Sequence, residues 1–129
     1  GAGRDYLLRK LGGWGGQGTG FIEPQALAEY ERCFLREDAV HAVCEDYRAS
    51  AGIDLDHDHE SRAAGQKIGC DLLVLWGARG VVQALFDPLA LWRAQAAGAV
   101  HGEAMPAGHF IPEELPEETA ARLLHFFRG

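Results

Sequence analysis

Among the side chains able to do chemistry, His109 has the most informative neighbours. Gly108 before it permits a close backbone approach, Phe110 and Ile111 can anchor the loop in a core, and Pro112 keeps that loop from becoming helix too early. An imidazole ionises near a pH of about 6.5, so its neutral form can take a proton from water at neutral pH. Residue type alone leaves two readings of His109 open, a general base and a structural loop histidine.

The segments before this loop must position it. Cys70 to Gly77 (Cys-Asp-Leu-Leu-Val-Leu-Trp-Gly) is an almost unbroken apolar run of strand length, the pattern of a strand buried on both faces. Gly77-Ala-Arg-Gly80 predicts a turn, Val81 to Phe86 a loop or short helix, and Asp87 to Ala96 a helix with Pro88 in its first turn and Gly98 at its end. Val100 to Met105 is interrupted by His101, Gly102 and Glu103, yet a strand there gives the final helix a sheet to return from. Strand, helix, strand and histidine loop form the closing βαβ unit of a doubly wound sheet. His109 then lies past the carboxyl end of its last strand, where such sheets put their chemistry.

Three other stretches could carry chemistry. Val40, Val43, Cys44 and Tyr47 fall at i, i+3, i+4 and i+7 of a helix capped by Asp38, which points Tyr47 inward, the setting of a core tyrosine with its hydroxyl satisfied locally. Asp54, Asp56, His57, Asp58, His59 and Glu60 are a conspicuous charge cluster. Histidines at i, i+2 diverge on a helix, and no His-Glu-x-x-His or calcium-loop spacing is present, so a solvated acidic surface is expected. Trp14 to Phe21 is too rich in glycine for a regular element. It lacks the preceding strand and the following Lys-Ser/Thr of a phosphate-binding loop.

With 129 residues, 47% of them apolar, the chain suffices for one domain. Its net charge of −7 and the absence of any Lys/Arg block make nucleic acid and anionic membranes poor partners. Cys33, Cys44 and Cys70 sit in apolar contexts without paired spacing, the pattern of buried, reduced thiols in a cytoplasmic protein. No apolar run reaches membrane-spanning length, and the start lacks the plan of a signal peptide.

Elsewhere, Arg4 to Leu11 predicts a short amphipathic helix ending at Gly12-Gly13. Glu23-Pro24 opens a second helix with Ala26, Leu27, Tyr30, Cys33 and Phe34 on its buried face. A last helix from Pro116 carries Glu117 and Glu118 near its positive end and buries Leu123, Leu124 and Phe127.

The chain resembles the haloacetate (fluoroacetate) dehalogenases of the α/β-hydrolase superfamily. The resemblance rests on Cys44-Glu-Asp-Tyr-Arg-Ala49, Leu72-Leu-Val-Leu-Trp-Gly77, Phe86-Asp-Pro-Leu-Ala-Leu-Trp-Arg93 and Gly108-His-Phe-Ile-Pro-Glu-Glu114 leading into Glu117-Glu-Thr119. It implies an α/β fold class, namely the C-terminal part of an α/β-hydrolase fold. Residues 1–60 would then be a helical cap portion with its return helix, and residues 61–129 the C-terminal part of the core. Two convincing strands are too few for the whole fold, so the sheet edge and much of the apolar surface require the missing N-terminal half as partner.

The resemblance further implies hydrolysis of fluoroacetate or chloroacetate to glycolate and halide through an aspartyl ester. His109 would activate the hydrolytic water, and the Tyr47 hydroxyl would donate to the departing halide. Trp14, ten residues before Pro24 as in the family, would form the aromatic wall of the pocket. No metal or organic cofactor is implied, and the complete enzyme would be a homodimer. No Asp or Glu lies between Gly77 and Phe86, so the triad acid, like the nucleophile and the carboxylate-binding arginines, is expected upstream of this chain. Asp87 before Pro88 reads as a helix cap rather than a substitute acid. Asp71 replaces a proline common in the family, at the strand entrance. The alternatives are another α/β hydrolase, such as an epoxide hydrolase or esterase, and a non-catalytic fragment.

Overall fold

The computed structural model describes residues 2–15 and 18–129; Gly1 and the Gly16-Gln17 pair of the glycine-rich stretch lie outside the described residues. Four helices come first: α1 (Ala2–Gly15), α2 (Pro24–Phe34), α3 (Glu37–Ser50) and α4 (Ile53–Ala63). Strand β1 (Leu72–Gly77) follows, then α5 (Val81–Leu85), α6 (Pro88–Gln95), β2 (Val100–Met105), α7 (Ile111–Glu114) and α8 (Pro116–Arg128).

The two strands pair in parallel, in a register that sets Leu72 opposite Val100 and Gly77 opposite Met105, so the predicted βαβ unit is present. Its crossover is α5 and α6. Asp87 caps α6 as expected: its Oδ1 accepts a hydrogen bond of 3.0 Å from the Ala90 amide, one of the donors a helix start leaves unpaired. Asp87→Ala should therefore lower stability by about 1 kcal/mol, measured as a shift of the denaturant midpoint. Helix α6 ends at Gln95, before Gly98, because Ala96 leaves it to form a parallel bridge with Ile68. Asp71, at the strand entrance, accepts from the Ala99 amide at 2.8 Å and ties the two strand starts together.

Several expectations need correction. Helix α1 does not stop at Gly12-Gly13 but runs on to Gly15, which places Trp14 in its last turn. Each interior glycine costs about 1 kcal/mol relative to alanine. Tertiary packing of the helix end offsets that cost, since Gly15 is buried and a Cβ there would overlap the Phe21 ring. Helix α3 starts at Glu37, so Asp38 lies in its first turn, paired with Arg36, instead of capping it. Pro112 sits inside the short helix α7, in its first turn, where a missing N–H is harmless.

Tyr47 is 53% exposed rather than pointing inward, and Tyr30, Val40, Leu123, Leu124 and Phe127 are exposed too. Cys33, Cys44 and Cys70 are free thiols at the surface, not in a core. Leu72 to Trp76 of β1 are only half-buried, because among the described residues β1 has a single neighbouring strand. The elements among the described residues cover these apolar faces only in part. The charge cluster from Asp54 to Glu60 lies on α4 and is exposed throughout, as a solvated surface should be.

A small buried cluster sits directly under the histidine loop. It comprises Met105 at the end of β2, Ala107 and Ile111, with Leu75 and Leu115 packed against them. No helix of the described residues is long and apolar enough to cross a membrane.

Candidate active site

The loop from Pro106 to Phe110 leaves β2 and turns across the carboxyl end of β1. The turn after β1 is zipped onto it: the Ala78 amide donates to the Met105 carbonyl at 2.7 Å and the Arg79 amide to the Ala107 carbonyl at 3.0 Å. Backbones can approach this closely because Gly77 has no side chain; a Cβ there would overlap the Gly108 carbonyl oxygen.

His109 is exposed at the rim of this packed base, between two aromatic rings. Trp14 meets the imidazole edge-on with centroids 4.8 Å apart, and Phe110 does so at 5.0 Å. The amides of Gly108, His109 and Phe110 are all satisfied. His109 N–H donates to the Trp14 carbonyl at 3.1 Å, one of the carbonyls that the end of α1 leaves without a helical partner. Gly108 N–H and Phe110 N–H donate to the two carboxylate oxygens of Glu114, at 2.7 and 3.1 Å.

Glu114 itself is 7% exposed in its side chain and is paired with Arg79 at 3.3 Å. The Arg79 guanidinium also donates to the Pro106 carbonyl at 2.5 Å. A hydrogen bond to a charged partner contributes about 1.5–3 kcal/mol, roughly twice a neutral one. The carboxylate therefore holds the histidine loop strongly from inside.

A cleft of about 410 Å³ opens over His109, lined by Gly13, Trp14, Arg79, Gly80 and Val81 as well. Tyr47 does not line it. It is joined to the cleft through Lys10, whose Nζ lies 3.3 Å from the Tyr47 hydroxyl, 4.1 Å from the Trp14 ring centroid and 5.2 Å from that of Tyr47. The hydrogen bond with Tyr47 raises the Lys10 pKa above its ordinary value, so the ammonium stays charged. The order is thus His109, Trp14, Lys10, Tyr47: the three residues singled out in the sequence lie in one row, connected by a fourth that was not.

A second cavity, about 460 Å³ and mostly apolar, lies between α1, α2 and α7. Its Tyr30 hydroxyl already donates to Glu113, a bond that raises the Tyr30 pKa, so little free polar capacity faces that space. Among the described residues no group of three His, Cys, Asp or Glu side chains could hold a metal.

A parallel strand pair with a helical crossover, a histidine loop over the carboxyl end of the strands and a cleft above it define the closing unit of an α/β hydrolase. No family model matches the chain. Among curated proteins it is 34% identical over 116 residues to a fluoroacetate dehalogenase of a Burkholderia species, covering 90% of this chain and 37% of that protein. Among solved structures, a Nostoc protein described as an α/β hydrolase superposes with a TM-score of 0.89 at 48% identity, over 96% of this chain and 41% of its own. A Pseudomonas aeruginosa protein described as an epoxide hydrolase superposes at 0.80 with 41% identity, over 96% and 40% of the two chains. The chain has the fold of the C-terminal part of an α/β hydrolase. It spans about two fifths of the length of these relatives.

Proposed function

We propose that this chain is the C-terminal portion of a haloacetate dehalogenase, with His109 as its general base. The row of His109, Trp14, Lys10 and Tyr47 carries the reading. It puts an exposed imidazole beside an aromatic wall, and a charged ammonium next to the hydroxyl proposed to meet the halide. The identity to the Burkholderia fluoroacetate dehalogenase supports the same choice.

In this reading an upstream aspartate attacks the α-carbon of the haloacetate. The carbon–halogen bond breaks, halide leaves with the electron pair, and a glycolyl ester forms. His109 then takes a proton from water, whose oxygen adds to the ester carbonyl; on collapse the glycolate alkoxide leaves with the proton of the added hydroxyl, the aspartate carboxylate is restored, and His109 returns its proton to solvent. Two steps replace one difficult displacement by water, since a positioned carboxylate is present where hydroxide is scarce. Developing fluoride is poorly stabilised without donors in a dry pocket. Lys10, by donating to the Tyr47 oxygen, makes that hydroxyl a better donor.

Tyr47→Phe should accordingly lower fluoroacetate turnover by about 100-fold and chloroacetate turnover much less, because chloride is the better leaving group. Equal losses on both substrates would remove Tyr47 from the halide site.

A second reading is favoured by the higher identity, 41%, to the Pseudomonas protein described as an epoxide hydrolase. There the same histidine would hydrolyse an alkyl ester formed by ring opening, and Tyr47 would protonate the leaving oxygen. Incubating the full-length protein with fluoroacetate and, separately, with a simple epoxide decides between them. Fluoride release is expected, and diol formation without fluoride would overturn the dehalogenase reading.

A further inference from the structure

We propose that Glu114 is a positioning residue for the base, acting through the backbone on either side of His109; the proposal rests on the reading of His109 as base. A buried carboxylate needs donors at both of its oxygens, and Glu114 takes for them the two amides that bracket His109, at 2.7 Å to Gly108 and 3.1 Å to Phe110. The amide between them, that of His109 itself, is held by the Trp14 carbonyl.

The rotation of the peptide planes around His109, and with it the direction of Cβ, is thereby set by a buried charge that Arg79 keeps in place. The fit is close: a Cβ on Gly108 would stand 2.9 Å from Glu114 Oε1 and 2.7 Å from the Gly15 carbonyl oxygen. The residue touches neither substrate nor reacting atoms. It acts on the orientation of the imidazole, and misplacing a catalytic group by about 1 Å costs about 100-fold in rate.

The test uses the full-length protein and separates the two chemical steps. Ester formation needs no base, whereas ester hydrolysis needs His109. Glu114→Ala should keep the first rapid equivalent of halide while the following steady rate falls by about 100-fold, with KM little changed. Glu114→Gln, which keeps one acceptor but turns an N–H toward one of the two amide donors, should fall in between. It also serves where the alanine variant does not fold.

Asp87→Ala is the control, since it weakens a cap elsewhere in the fold and should leave the ratio of burst to steady rate unchanged. In parallel, the His109 Hε1 NMR signal should be a single sharp line in the parent and broadened in the Glu114 variants. Equal loss of burst and steady rate, or an unaltered steady rate with an unaltered His109 line, overturns the proposal. The NMR comparison needs no substrate, so a protein that releases no halide ends the dehalogenase reading while the His109 line still decides the role of Glu114.

Discussion

The His109→Asn variant of the full-length protein should release one equivalent of halide per site and then stop, with a glycolyl group retained on the protein by mass spectrometry. Asparagine is close to histidine in size and polar, but it cannot take a proton from water. Loss of a general base costs about 10²–10⁴-fold in rate, so the ester should persist for far longer than one parental turnover. The fold should survive, because the loop is held by main-chain bonds to Trp14 and Glu114 that do not involve the imidazole. Continued steady halide release from the variant would mean that another group activates the water.

Gly77→Ala should have the largest effect on the fold. Gly77 is the last residue of β1 and buried, and its added methyl group would occupy the position of the Gly108 carbonyl oxygen. Relief would require pushing the histidine loop off the strand end and breaking the zipper from Ala78 and Arg79. Overpacking of this kind costs about 1–3 kcal/mol and sometimes more. Activity should fall further than stability, since the displaced loop carries His109. Gly80→Ala is the comparison: its methyl group would meet the Gly77 carbonyl oxygen at an ordinary 3.4 Å, so a loss under about 1 kcal/mol is expected. Denaturant midpoints of the two variants, measured alongside halide release, check both statements.

What could be read from the residues follows a physical divide. The βαβ unit was legible because its signals are local: the apolar run of β1, the Asp87-Pro88 cap and the glycine before His109 each act within a few positions. Glu114 was not legible as a clamp. Its Arg79 partner lies 35 positions away, and nothing in the pair Glu113-Glu114 says which carboxylate turns inward. Lys10 was missed for the same reason, being 37 positions from Tyr47. Gly12 and Gly13 looked like a helix end because propensity opposes helix there, and tertiary packing at Gly15 overrides it. The apolar stripes of α3 and α8 identified faces that seek cover, but a stripe does not say whether its cover lies in the same stretch of chain. Phe127, 78% exposed, is the plainest case.

The bond from the His109 amide to the Trp14 carbonyl has a mechanical consequence. The helix that walls the entrance and the group that would deprotonate water share one main-chain link, so neither can shift without tugging the other. Substitutions that loosen α1, even at its far end near Arg4 and Glu31, should therefore register as slower water attack and not only as altered access for the incoming molecule.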